Sequence, residues 1–136
     1  MAMRGMSMTS TDSCFECQFT NYVNECLLTI THSDIKGLVF NLYEDDIGCF
    51  SMEIVGTLSF DDLNLQWTDD EIDNFGTREE PFVWQDENWE KAQERVVSSL
   101  RNMIYKADHK SILWTVGGIA VGFVDGNIEI VEKTTS

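Results

Sequence analysis

Ile119-Ala120-Val121-Gly122-Phe123-Val124-Asp125-Gly126-Asn127-Ile128-Glu129-Ile130-Val131 is the stretch that decides the fold class. Asp125-Gly126 separates two runs rich in β-branched residues, and an Asp-Gly pair tolerates the positive φ angles of a two-residue hairpin turn. The stretch therefore reads as a β-hairpin, Ile119–Val124 followed by Asn127–Val131. Immediately upstream, Ser111–Val116 is also strand-like, with Gly117-Gly118 breaking the two runs.

Before these strands the apolar spacing changes from two to between three and four. Trp89, Ala92, Val96, Val97, Leu100, Met103 and Ile104 form one stripe of an amphipathic helix. Asp86 is placed to cap it, Glu87 and Glu90 suit its positive end, and Lys106 suits its negative end. Further back, Leu38–Tyr43 and Cys49–Leu58 read as paired strands joined by a hairpin loop, Glu44-Asp45-Asp46-Ile47-Gly48. Phe60–Phe75 fits neither period and is expected to be a loop containing a third short strand. An earlier helix starts near Ser13, capped by Ser10, Thr11 or Asp12. It carries Phe15, Phe19, Tyr22, Val23, Cys26, Leu27 and Ile30 on one face and ends within Thr31–Asp34, ahead of Gly37. The order helix, strands, helix, strands predicts an α+β domain with an antiparallel sheet and two main helices. Residues 1–13, which hold four of the six methionines, are expected to be a flexible N-terminal segment without the apolar core of a secretory signal. Residues 14–132 then make a single domain.

The 136 residues include 24 acids and 9 bases, a net charge of −15. A hydrophobic fraction of 43% with 15 aromatics excludes wholesale disorder. No apolar run approaches the ~18 residues that cross a bilayer, so no membrane span is expected. The shortage of Lys and Arg argues against direct binding of nucleic acid or of an anionic membrane. The charge is concentrated: residues 44–90 hold fifteen acids and one base, Arg78, so almost the whole net charge lies there. Phe50, Phe60, Trp67, Phe75, Phe82, Trp84 and Trp89 are threaded through those acids. Two readings stand: a solvated face over an ordinary core, or a surface for a basic partner, since confining like charges adds self-repulsion.

Residues able to carry chemistry are sparse. Cys14 and Cys17 form a Cys-x-x-Cys pair, but with Cys26, Cys49 and His32 they would have to converge from helix, loop and strand to hold zinc. Free thiols in a reduced cytoplasm are the expected state, with no metal. His32 and His109 have no nucleophile or base at a recognisable spacing. Asp69, Glu71 and Asp73 alternate as in a calcium loop, with Glu80 at the twelfth position, but Asn74 stands where the turn glycine belongs and the flanking helices are missing. Gly117, Gly118 and Gly122 lack the lysine and spacing of a phosphate loop. No enzyme and no cofactor are expected.

The strand Leu38–Tyr43, the acidic stretch before Trp67, the run Phe75-Gly76-Thr77-Arg78-Glu79-Glu80-Pro81-Phe82 and the closing Ile119–Gly126 hairpin together resemble a known family. They are similar to small acidic immunity proteins of bacterial contact-dependent growth inhibition and related polymorphic toxin systems. The resemblance implies a cytoplasmic inhibitor that binds the C-terminal domain of a cognate toxin. Such toxins are often basic nucleases, whose phosphate-binding cleft an acidic protein can occupy. Association would be steered and salt-sensitive, with a few desolvated anchors supplying affinity. On this basis the candidate partner-binding residues are Trp67, Asp69, Asp70, Glu71, Asp73, Glu79, Glu80 and Trp84; for the two tryptophans, plain core packing is the competing role. The same acids would equally serve an adaptor, or a nucleic-acid mimic that regulates a basic host protein.

Overall fold

Helix α1 (Thr11–Leu28) and helix α2 (Trp89–Lys106) cover one face of a five-stranded sheet in the computed structural model, which describes residues 11–28, 35–61, 63–72, 80–108, 111–123 and 128–133. The strands are β1 (Gly37–Asp46), β2 (Cys49–Thr57), β3 (Phe82–Gln85), β4 (Gly118–Phe123) and β5 (Ile128–Lys133), in the spatial order β3-β2-β1-β4-β5. The element order and the α+β class are those the patterning predicts.

Strand alternation sorts the side chains by face. Leu38, Phe40 and Leu42 of β1, Phe50, Met52 and Ile54 of β2, and Ile119, Val121 and Phe123 of β4 meet the helices. There they pack on Phe15, Phe19 and Val23 of α1 and on Ala92, Val96, Leu100 and Ile104 of α2. Phe19, Phe40 and Phe50 are essentially fully buried, each contributing roughly 2–3 kcal/mol of apolar burial.

The sheet is mostly antiparallel, but its central seam is not. β1 and β4 run parallel, from Gly37 opposite Gly118 to Leu42 opposite Phe123. The reason is connectivity: α2 carries the chain back along the sheet after β3, and a return through a helix delivers a parallel strand. The β1–β2 and β4–β5 pairs are antiparallel as expected. The first hairpin turns tightly at Ile47-Gly48, with Gly48 at φ +76°, so Glu44–Asp46 belong to β1 and not to a loop. The Asp125-Gly126 turn, like Ile30 and Thr31–Asp34, lies outside the described residues.

Four local expectations are corrected. Ser111–Val116 is not a strand: Ile112–Thr115 forms a single helical turn, α3, with the Leu113 N–H donating to Ser111 Oγ at 3.2 Å. Leu113 and Val116, three apart, are both buried, a helical spacing hidden in a short apolar run. The third strand is Phe82–Gln85; the described part of Phe60–Phe75 contains a 3-10 turn, Leu65–Asp69, and a lone bridge from Glu71 to Thr57. The cap of α2 is Asn88, whose side chain accepts the Lys91 N–H at 2.9 Å, and Asp86 has another partner. Helix α1 begins at Thr11, within the segment expected to be flexible.

The face away from the helices carries a second, smaller core of Val39, Val55, Ala120 and Trp67, with Phe60 packed against it. Here the seam is thin because Gly37 and Gly118 face each other. A Cβ on Gly37 would overlap the Trp67 ring, and one on Gly118 would overlap Phe60. The two rings meet edge to face at 4.8 Å.

Candidate functional site

The sequence places its charge in one segment, but the fold divides that segment between the two ends of β2. Nine residues of strand separate those ends by about 26 Å. At the β1–β2 turn, Glu44, Asp45 and Asp46 are exposed, and Ile47 between them and Gly48 is 92% exposed. The Ile47 N–H donates to Asp46 Oδ1 at 2.8 Å, and the Gly48 N–H points to Glu44 Oε2 at 3.5 Å, so the acids brace the turn that presents the isoleucine.

The start of α2 is tied to this turn. The Asp86 N–H donates to the Gly48 carbonyl at 3.1 Å, and β3 pairs with β2 from Cys49 opposite Gln85. Glu87, Trp89 and Glu90 therefore flank the tip, with Trp89 40% exposed and its ring edge to face with Phe123 at 5.9 Å. This end of the molecule combines five exposed carboxylates with two apolar side chains open to solvent.

Asp86 holds the end together. Its carboxylate accepts from Arg95 Nε at 2.8 Å, from Arg95 Nη2 at 3.1 Å and from Trp84 Nε1 at 3.1 Å. Burial pushes the Asp86 carboxyl up. The hydrogen bonds and charge of Arg95, the Trp84 indole and the Glu87 N–H outweigh that and hold it below the usual carboxylate range. Arg95 also lies over the Phe15 ring at 5.3 Å, joining α1 to the same cluster.

At the opposite end Asp61, Asp69 and Asp70 are exposed around the 3-10 turn, with Leu63 92% exposed among them. The segment is pinned to β2: Leu58 N–H donates to the Asp70 carbonyl at 3.0 Å and Ile72 N–H to the Gly56 carbonyl at 2.9 Å.

Among the described residues, the predicted partner-binding set is only partly brought together: Asp69, Asp70 and Glu71 share one end of β2, while Trp67 and Trp84 lie on opposite faces of the sheet. Trp67 belongs to the core on the face away from the helices and is 4% exposed, while Trp84 packs on the helix face against Phe15, Phe50 and Phe82. Asp69 and Asp70 are exposed and Glu71 is half-buried at its bridge to Thr57. Glu80 is exposed, and its backbone carbonyl accepts from Tyr22 at 2.7 Å. Asp73 and Glu79 lie outside the described residues. Ile47 and Trp89 were not among the predicted residues. The available signal was Ile47 itself, a lone aliphatic residue inside an acidic hairpin loop where solubility alone would favour a polar one.

One carboxylate lies inside the sheet. Glu53, 3% exposed, accepts from Asn41 Nδ2 at 3.0 Å and from Tyr43 Oη at 2.8 Å. Both donors sit on β1 beside β2, so the trio fastens the hairpin on the face away from the helices. Cys17 is exposed, Cys49 is half-buried, and burial raises the Cys26 thiol above its ordinary pKa. His32, His109 and most of the calcium-like stretch lie outside the described residues. Among the described residues there is no cluster of His, Cys, Asp and Glu arranged to hold a metal ion, and no helix is long and apolar enough to cross a membrane.

Comparison with protein-family models, with curated proteins and with solved structures finds no match to this chain.

Proposed function

We propose that this protein is an immunity-type inhibitor, which binds and neutralises the C-terminal domain of a basic, nuclease-type toxin in the cytoplasm. The supporting observation is the hairpin tip, where Ile47 is exposed next to the exposed Glu44, Asp45 and Asp46, and where the Asp86–Gly48 hydrogen bond ties the turn to the start of α2 with its exposed Glu87 and Glu90. A desolvatable apolar residue surrounded by like charge suits a partner that presents a basic cleft with an apolar floor. The acids steer the encounter and suppress neutral partners, and Ile47 with Trp89 supplies the surface that excludes water. The tip is braced by its own acids and by Asp86, so little ordering is required on binding. Asp69, Asp70 and Leu63 form a second acidic end, available to the same kind of partner.

The test is growth. The C-terminal domain of the protein encoded immediately upstream is expressed with and without this chain. Toxicity relieved only by co-expression is the expected result. A harmless neighbour, or toxicity that persists, would overturn the immunity reading and leave the adaptor of a basic host protein, to be sought by pull-down at two salt concentrations.

A further inference from the structure

Strand β5 is the outermost strand on its side of the sheet and pairs only with β4 among the described residues. Its outer edge offers backbone donors and acceptors to another extended chain. Alongside lies a groove between α2 and β5, lined by Trp89, Glu90, Glu94, Ser98, Arg101 and Glu129. Its three glutamates are exposed; Arg101 is engaged with Glu129 at 3.3 Å, and Lys91 beside the groove lies 4.0 Å from Glu94, so the acids still outnumber the bases three to two. The groove is therefore net negative, which disfavours a second copy of a chain that itself carries −15.

We propose that the β5 edge and this groove take an extended basic segment of the partner by strand addition. The inference rests on the basic-partner reading above, and the geometry adds a pattern to it. Side chains of a docked strand alternate between faces. One set points to the helix side, where Glu90, Glu94 and Glu129 lie, and accepts Lys or Arg. The other set points to the opposite face, where Ile128 and Ile130 are half-buried, and accepts aliphatic residues. The ligand is thus a segment with bases at every second position and β-branched residues between them.

The probe is a capped, fluorescein-labelled peptide of four Lys-Val repeats, with a control of the same composition in which the lysines are grouped together. Binding to the full chain is followed by anisotropy, and amide exchange along β5 is measured with and without peptide. The alternating peptide is expected to bind at least tenfold more tightly than the grouped one and to slow exchange in β5. Combining Glu94→Lys with Glu129→Lys is expected to weaken it at least tenfold, whereas Glu25→Lys, on the exposed surface of α1, leaves it unchanged. Equal binding of both peptides, unprotected β5 amides, or indifference to the double reversal would each overturn the proposal. An equal loss of peptide binding on Glu25→Lys would also overturn it, because attraction by overall charge would then account for the binding. Failure of growth rescue with peptide binding intact would remove the immunity reading and retain the groove.

Discussion

Arg95 holds Asp86 with two hydrogen bonds, 2.8 Å from Nε and 3.1 Å from Nη2, and so locks the second turn of α2 onto the end of β3. The Asp86 carboxylate is only 5% exposed, so removing either partner leaves a poorly solvated charge or an empty donor pair. Asp86→Ala is expected to destabilise the fold by roughly 2 kcal/mol, read as a lower urea midpoint with an unchanged slope. Far-UV circular dichroism should show the same helix content.

The same group sets a pH dependence. Its folded pKa is depressed by Arg95, Trp84 and the Glu87 N–H despite the opposing effect of burial. It therefore stabilises the fold above the unfolded value of about 3.9, and that contribution is lost as pH falls through the lower folded value. The stability gap between the wild type and Asp86→Asn should be constant from pH 8 to 5 and should close below about pH 4. A gap that widened on acidification would contradict this assignment.

The α2 cap makes a separate prediction. Asn88, and not Asp86, accepts the Lys91 N–H. Asn88→Ala is expected to cost about 1 kcal/mol, whereas Asn88→Asp should be neutral or slightly stabilising next to the positive helix end. Thermal denaturation of the two variants checks the pair.

Gly118 and Phe60 are coupled by space. A methyl group at Gly118 would overlap the Phe60 ring, which leans on Trp67. Gly118→Ala is expected to destabilise by roughly 1–3 kcal/mol and to shift Trp67 emission as the indole loses its cover. In the background of Phe60→Ala the same change should be much milder, a coupling that a double-mutant cycle measures.

At the hairpin tip, Asp45→Lys with Glu87→Lys should leave the thermal midpoint within a degree or two, because both residues are exposed. With a basic toxin partner the double reversal is expected to slow association at least tenfold and to flatten its salt dependence. Ile47→Ala should instead raise the dissociation rate. Unchanged kinetics for all three substitutions would move the binding surface to the Asp69–Asp70 end.

The amphipathic stripe of α2 and the alternation of β1 and β2 were legible because each is a local pattern repeated over several residues. Ser111–Val116 was not, since a six-residue apolar run satisfies a strand and a buried helical turn equally well. Phe82–Gln85 was missed because four residues are too few to show a period. The candidate site was legible only as charge: sequence order puts Trp67 and Trp84 within one acidic segment, whereas pleating and the return through β3 put them on opposite faces of the sheet.

By itself, the sequence determined the α+β class, the order of the elements, most of the core and the confinement of charge to residues 44–90, because these follow from periodicity and composition. Tertiary structure alone decided the parallel β1–β4 seam, the division of the acids between two ends, and the hydrogen bond from Asp86 to Gly48 that ties the start of α2 to the β1–β2 turn. Those depend on which strand edges find each other once the helices cover one face, and no local pattern records that choice.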